Sequence, residues 1–192
     1  MSFKPPKVST SGGYEVSQEI NLKEVFGVDL SNNDDLKQLI GEAIIQTIRQ
    51  RTESGKGIKF SESGDASTYA MKKYSKAYKE SAEFRAFNKT DKVNLTMSGD
   101  MLGLLDIVKS TGNKIKIGWD DSEQNAKAYN HTVGDTVPER PFFGVSKSEL
   151  KNIAKEFKSE IADAVDASND GASKKEIIAK LGSLMDFIDG ES

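Results

Sequence analysis

The sequence predicts an α+β fold: a small antiparallel sheet packed against a long N-terminal helix and a C-terminal helix, with an extra helix at the C-terminus. Three observations carry this. Leu36, Leu39, Ile40, Ala43, Ile44 and Ile48 recur at the spacing of one helix face. Two short segments alternate with a period of two: Val93, Leu95 and Met97 against Asn94, Thr96 and Ser98, then Ile115, Ile117 and Trp119 against Lys114, Lys116 and Gly118. Finally, Ser146 and Glu149 form a capping box ahead of a stripe through Leu150, Ile153, Ala154, Phe157, Ile161, Ala164 and Val165.

Taken in order, residues 1–20 are rich in Pro, Ser, Gly and Lys and show no apolar period, so they read as a flexible tail. A folded domain is expected over 21–167. Its first helix is capped by Asn33 or Asp34 and ends near Arg51. The stretch "RTESGKGIKFSESGDAS" is dense in Gly and Ser and reads as a loop. "STYAMKKYSKAYKESAEF" follows as an amphipathic helix, with Ala70, Tyr74, Ala77 and Tyr78 near one face and lysines around the other. "DMLGLLDIV" reads as a helical turn or short helix opened by Asp100. A brief helix starts near Ser122 and stops at Gly134, whose missing Cβ makes a left-handed terminus cheap. Beyond the 146–165 helix, Ser173 and Glu176 form a second capping box before Ile177, Leu181, Leu184, Met185 and Ile188, giving an acidic helical extension over 168–192.

Composition removes several classes of function. With no cysteine, disulfides and thiolate metal sites are excluded, and the single histidine, His131, cannot build a multi-histidine metal cluster. No cofactor is expected. A net charge of −3 gives no global pull toward nucleic acid or membrane. Residues 1–16 hold no apolar run of the kind a secretory signal needs, and no stretch reaches membrane-spanning length. A cytoplasm, or a particle assembled there, is the expected location. "SGKG" lacks the Ser or Thr after the lysine and the preceding strand that a phosphate-binding loop requires. No strained serine elbow accompanies His131, and the "DD" pairs at 34–35 and 120–121 sit at helix starts, where free amides and the helix dipole favour carboxylates. A non-enzyme is expected.

Charge is unevenly distributed. Residues 51–92 carry ten Lys/Arg against six Asp/Glu, whereas residues 160–192 carry eight acidic and three basic side chains. A positive middle and negative end favour head-to-tail contact between copies. The interleaved tyrosines and lysines of 69–79 also leave open a nucleic-acid-binding module, since stacking and phosphate contact use those residue types.

The ordered pieces "NLTMSGDMLGLLDI", "IKIGW" and "AKAYNHTVGDTVPERPFFGVSKSEL" resemble the virion-morphogenesis (tail-completion) proteins of tailed bacteriophages. The matching positions are Leu95, Ser98, Gly99, Asp100, Met101 and Leu102; Ile117 and Gly118; Tyr129, Asn130, His131 and Gly134; and Arg140, Pro141, Phe142, Phe143 and Gly144. The "RTESGKG…F" and "YSKAY" segments are similar to a loop these proteins often carry. The resemblance spans roughly residues 35–165; the acidic C-terminal helix and the long N-terminal tail depart from the family core.

The resemblance implies a structural neck protein: a hexameric or dodecameric ring between the portal or head-completion proteins and the tail terminator, keeping a channel for DNA. On that reading Lys56, Lys59, Lys72, Lys73 and Lys76 face the channel or the portal and touch DNA non-specifically. The elbow at 140–144 is then the expected subunit anchor. Proline forces Arg140 into extended backbone and itself lacks an N–H. Successive residues of an extended segment point to opposite sides, so one of Phe142 and Phe143 plugs the core and the other reaches an adjacent subunit. Arg140, Pro141, Phe142, Phe143, His131 and Tyr129 are the interface candidates.

Overall fold

The computed structural model describes residues 4–27, 29–61, 64–87, 89–95 and 100–157. They form an α+β fold with a four-stranded antiparallel sheet in the order β1 (Lys7–Ser9), β2 (Glu15–Asn21), β6 (Lys114–Gly118), β5 (Asp106–Thr111), and a separate hairpin of β3 (Lys56–Phe60) and β4 (Ala66–Ala70). The helices are α1 (Leu22–Phe26), α2 (Asp34–Glu53), α3 (Lys76–Lys79), α4 (Ala82–Ala86), α5 (Asp100–Gly103), α6 (Ser122–Val133) and α7 (Lys147–Glu156).

The long helix α2 lies across the sheet. Asn33 caps it by accepting from the Leu36 N–H, and its stripe of Leu36, Ile40, Ile44 and Ile48 is 0–1% exposed. Gly41 allows the close approach: a Cβ there would lie 2.1 Å from the Ile107 Cδ1 on β5. Ile115 and Ile117, both 0% exposed, meet the helix from β6, as their alternation predicts. α7 begins at the expected capping box, and Gly134 ends α6 in left-handed conformation at φ 75°.

Residues 15–20 do not belong to a tail. β2 is an interior strand, paired to β1 at Val8↔Val16 and to β6 at Ile20↔Ile115, with Val16 and Ile20 buried. The core face of this strand reads Val16, Gln18, Ile20, and the central glutamine hides the period-two signal. Gln18 is nonetheless 2% exposed, because its Oε1 accepts from the Val145 N–H at 2.8 Å and its Nε2 donates to the carbonyls of Lys4 and Val145. A buried amide is tolerated when it is hydrogen-bonded on both sides.

The loop expected over 51–67 contains a strand, and the helix expected over 67–84 begins as one. β3 and β4 form a hairpin in the register Lys56↔Ala70 to Phe60↔Ala66. The helical pattern that follows is cut in two by serine caps: Ser75 accepts from the Tyr78 N–H and Ser81 from the Phe84 N–H, so α3 and α4 are single turns. The tyrosine side still gathers, since Tyr74, Tyr78 and Phe84 pack with ring centroids 5.2–5.7 Å apart.

Two more expectations change. "DMLGLLDIV" is helical only as far as Gly103 and becomes β5 at Asp106. Residues 93–95 are not a strand, because Leu95 sits at φ 54°, in the left-handed region that breaks an extended run, although its side chain is 9% exposed. Thr96 to Gly99, the second half of that expected strand and part of the motif, lie outside the described residues. So do Ile161, Ala164 and Val165, the capping box at Ser173 and Glu176, and the whole 168–192 extension.

Candidate functional site

The segment 140–145 runs without regular secondary structure between α6 and α7, and its polar backbone groups are bonded by several neighbouring elements. The Arg140 N–H donates to the His131 carbonyl at the end of α6 at 2.7 Å. The Pro141 carbonyl accepts from the Ile58 N–H of β3 at 2.9 Å and from the Tyr69 hydroxyl of β4 at 3.0 Å. The Arg51 guanidinium, at the end of α2, donates to the Phe142 and Gly144 carbonyls at 2.8 and 2.6 Å and pairs with Glu149 of α7. Gln18 of β2 takes both backbone groups of Val145.

This wiring requires two glycines. Gly57 passes so near that a Cβ would stand 2.4 Å from the Pro141 carbonyl oxygen. Gly144, at φ 111°, lies against Pro6 and the Phe60 ring.

The outward ring expected of the elbow is absent. Phe142 is 0% and Phe143 4% exposed, and both pack on Trp119, with centroids 6.2 and 5.1 Å away. Trp119 is itself fixed by donating Nε1–H to the Met101 carbonyl. Both rings thus meet the same indole inside the subunit, and neither is directed outward. Pro5, Pro6 and Phe60 line a second hollow with Phe143. Neither ring can reach a neighbour without unpacking its own subunit.

Arg140 is also interior, at 4% exposure. Its Nε donates to the Lys72 carbonyl at 2.8 Å, and its guanidinium lies 5.3 Å from the centre of the Tyr74 ring. Pro141 and Tyr129 are half-buried; Tyr129 stacks on Tyr14 at 5.0 Å. His131 is partly buried at the end of α6, and among the described residues its Nδ1 is buried without a hydrogen-bond partner.

The basic candidates are all exposed but do not share one face. Lys56 and Lys59 are three residues apart on β3, so their side chains leave opposite sides of the hairpin. Lys59 is paired with Glu139 at 2.9 Å and lies over Tyr69, while Lys76 stands 3.9 Å from Glu80. Lys72 and Lys73 flank the backbone that Arg140 holds. The face Tyr74 could offer a base is partly taken by Arg140 and Lys89.

Between α6, the 134–140 loop and the tyrosine cluster lies a cavity of about 460 Å³, open to the surface. Tyr74, Tyr78, Leu95 and Met101 line it, with Lys89, Lys127, His131 and Arg140 as its basic members. Sequence reasoning missed it, because its walls come from four separate stretches of chain. Burial, then the charges of Arg140 and Lys89, push the His131 pKa down to about 4.

That shift fixes a pH response. In the unfolded chain the imidazole takes a proton near pH 6.5, whereas in the folded chain it stays neutral until about pH 4. The unfolded state therefore binds more protons in between, and stability falls as pH drops through that window. Across that whole window the loss is about 3–4 kcal/mol, at roughly 1.4 kcal/mol per unit. Glu15 acts lower: hydrogen bonds from Lys116 and Lys7 hold its carboxyl at about 2, so its contribution is lost as pH falls from its ordinary 4.5. Urea unfolding between pH 7 and 5 should show the first slope in the wild type, and His131→Gln should flatten it while leaving the acid limb below pH 4.

Among the described residues no helix is long and apolar enough to cross a membrane. No protein-family model, curated protein or solved structure matches the chain.

Proposed function

We propose that the chain is a structural protein of a tailed-phage neck, acting as a ring that joins the head, on its portal side, to the tail and keeps the DNA channel continuous. One observation carries this reading: the separate sequence pieces that resemble the tail-completion proteins meet in space. Trp119, which closes "IKIGW", bonds Met101 of the first piece and stacks on Phe142 and Phe143 of the last. The Tyr129–Gly134 helix end is tied to the elbow by the Arg140-to-His131 backbone bond. The pieces therefore share one core instead of lying on separate parts of the fold. Their convergence supports reading them as a single architecture that they jointly specify.

On this reading the elbow is an internal joint that sets the angle between sheet, hairpin and last helix, and subunit contacts fall on other surfaces. The sheet edges at β1 and β5 and the exposed Leu104, Phe87 and Val133 are such surfaces. The work is mechanical, and virion neck is the corresponding location.

Electron microscopy of particles assembled without this protein tests the proposal. Filled heads and finished tails that stay apart, and join when the purified protein is added, are the expected outcome. Joined, infectious particles in its absence would overturn it.

A further inference from the structure

The 460 Å³ groove beside α6 has a composition that folding of this chain leaves unbalanced. Its floor is apolar and aromatic, and Phe87 on its wall is still 46% exposed. Its charged members are cationic: Lys89, Lys127 and Arg140 line it, and no aspartate or glutamate stands among its described lining residues. Lys127 pairs with Glu123, but Lys89 and Arg140 have no ion pair among the described residues.

Lys89 donates to the Asn94 side-chain oxygen at 3.0 Å, and Arg140 spends its bonds on two carbonyls. Burial lowers the pKa of both. Half-desolvated cations beside exposed aromatic surface call for a ligand that brings carboxylates and apolar side chains together.

The chain itself contains such a segment. Ile177, Leu181, Leu184, Met185 and Ile188 recur at helical spacing, with Asp186 inside the end of that stripe and Asp189 directly after it. This is the pattern of a helix that lays one face in a groove.

The polarity of the chain, positive over 51–92 and negative over 160–192, favours a contact between copies. Arg51, at the C-terminal end of α2, pairs with Glu149 at the start of α7, and α7 then runs on to pack against α1. The groove instead borders α5, whose Leu102 and Gly103 carbonyls are held by Arg49, back at the C-terminal end of α2. α7 is therefore packed along α1 and α2, whereas the groove is walled by α5 and α6.

We propose that this groove receives the C-terminal segment 172–189 of a second copy, with its apolar stripe on Tyr78, Phe87 and Met101 and its terminal carboxylates toward Lys89 and Arg140. This requires only that copies of the chain meet, wherever the assembly works, so it can fail while the neck reading stands.

The test uses the full chain with a photoreactive phenylalanine analogue at Phe87, prepared as a mixture of light- and heavy-nitrogen protein. Irradiation is expected to link position 87 to peptides from 172–192, in mixed light–heavy pairs. A second full-length variant, Leu181→Glu, changes no residue of the described domain. It should abolish the link and weaken self-association by about tenfold or more in sedimentation, equivalent to about 1.4 kcal/mol. Links confined to same-isotope pairs would place the segment in its own subunit and overturn the proposal. So would links to another region, preferential capture of an added single-stranded oligonucleotide, or self-association unchanged by Leu181→Glu.

Discussion

Phe142→Ala is expected to destabilise the isolated protein by about 3–5 kcal/mol, the range for deleting a fully enclosed aromatic ring. The ring is 0% exposed and sits against Trp119, which itself bridges to Met101. The cavity left behind cannot close easily, because the Phe142 backbone is held by Arg51 and its neighbours Pro141 and Gly144 are bound to other elements. A domain of this size has about 5–15 kcal/mol in total, so the variant should unfold at markedly lower urea with an unchanged slope. Phe143→Ala should behave likewise. Had either ring been a subunit anchor, the variant would have kept its monomer stability and lost only assembly. Denaturation of dilute protein distinguishes the two.

Arg51→Met should be nearly as costly, at about 3–5 kcal/mol, although methionine replaces most of the buried stem. The cost comes from what is left behind. The Phe142 and Gly144 carbonyls lose their donor, and Glu149 loses its cation while staying only partly solvated. An orphaned buried carbonyl costs about 1–3 kcal/mol by itself. Glu149→Gln should be milder, since an amide oxygen can still serve the capping box at Ser146. The double variant should lose less than the sum of the two, because the pair shares one interaction. Measuring all three by urea unfolding closes the cycle.

Both expectations concern a stretch whose importance could be read from the sequence but whose role could not. "ERPFFGVS" announces a stiff turn into a capped helix, and Ser146 and Glu149 perform that cap as written. Local rules suffice there, since proline geometry, capping and the left-handed glycine at 134 involve only residues a few positions apart. The same holds for α2 and β6, where an apolar residue at every inward position makes the period visible. Where a polar residue occupies an inward position the signal vanishes. Gln18 turned an interior strand into an apparent tail, because the partner that makes its burial tolerable, Val145, lies 127 positions away.

What the sequence by itself determined was the class of fold, the three clearest elements, the stiff turn at 140–144 and the absence of cysteine chemistry. The tertiary structure decided that both phenylalanines face inward, that Lys56 and Lys59 diverge, and that Lys89, His131 and Arg140 converge on one apolar groove. The physical reason is range. Periodicity and caps are set by neighbours along the chain, whereas which side of an extended segment is solvent depends on everything packed against it. Here Arg51, Gln18, Trp119 and the β3–β4 hairpin close around the elbow from all sides.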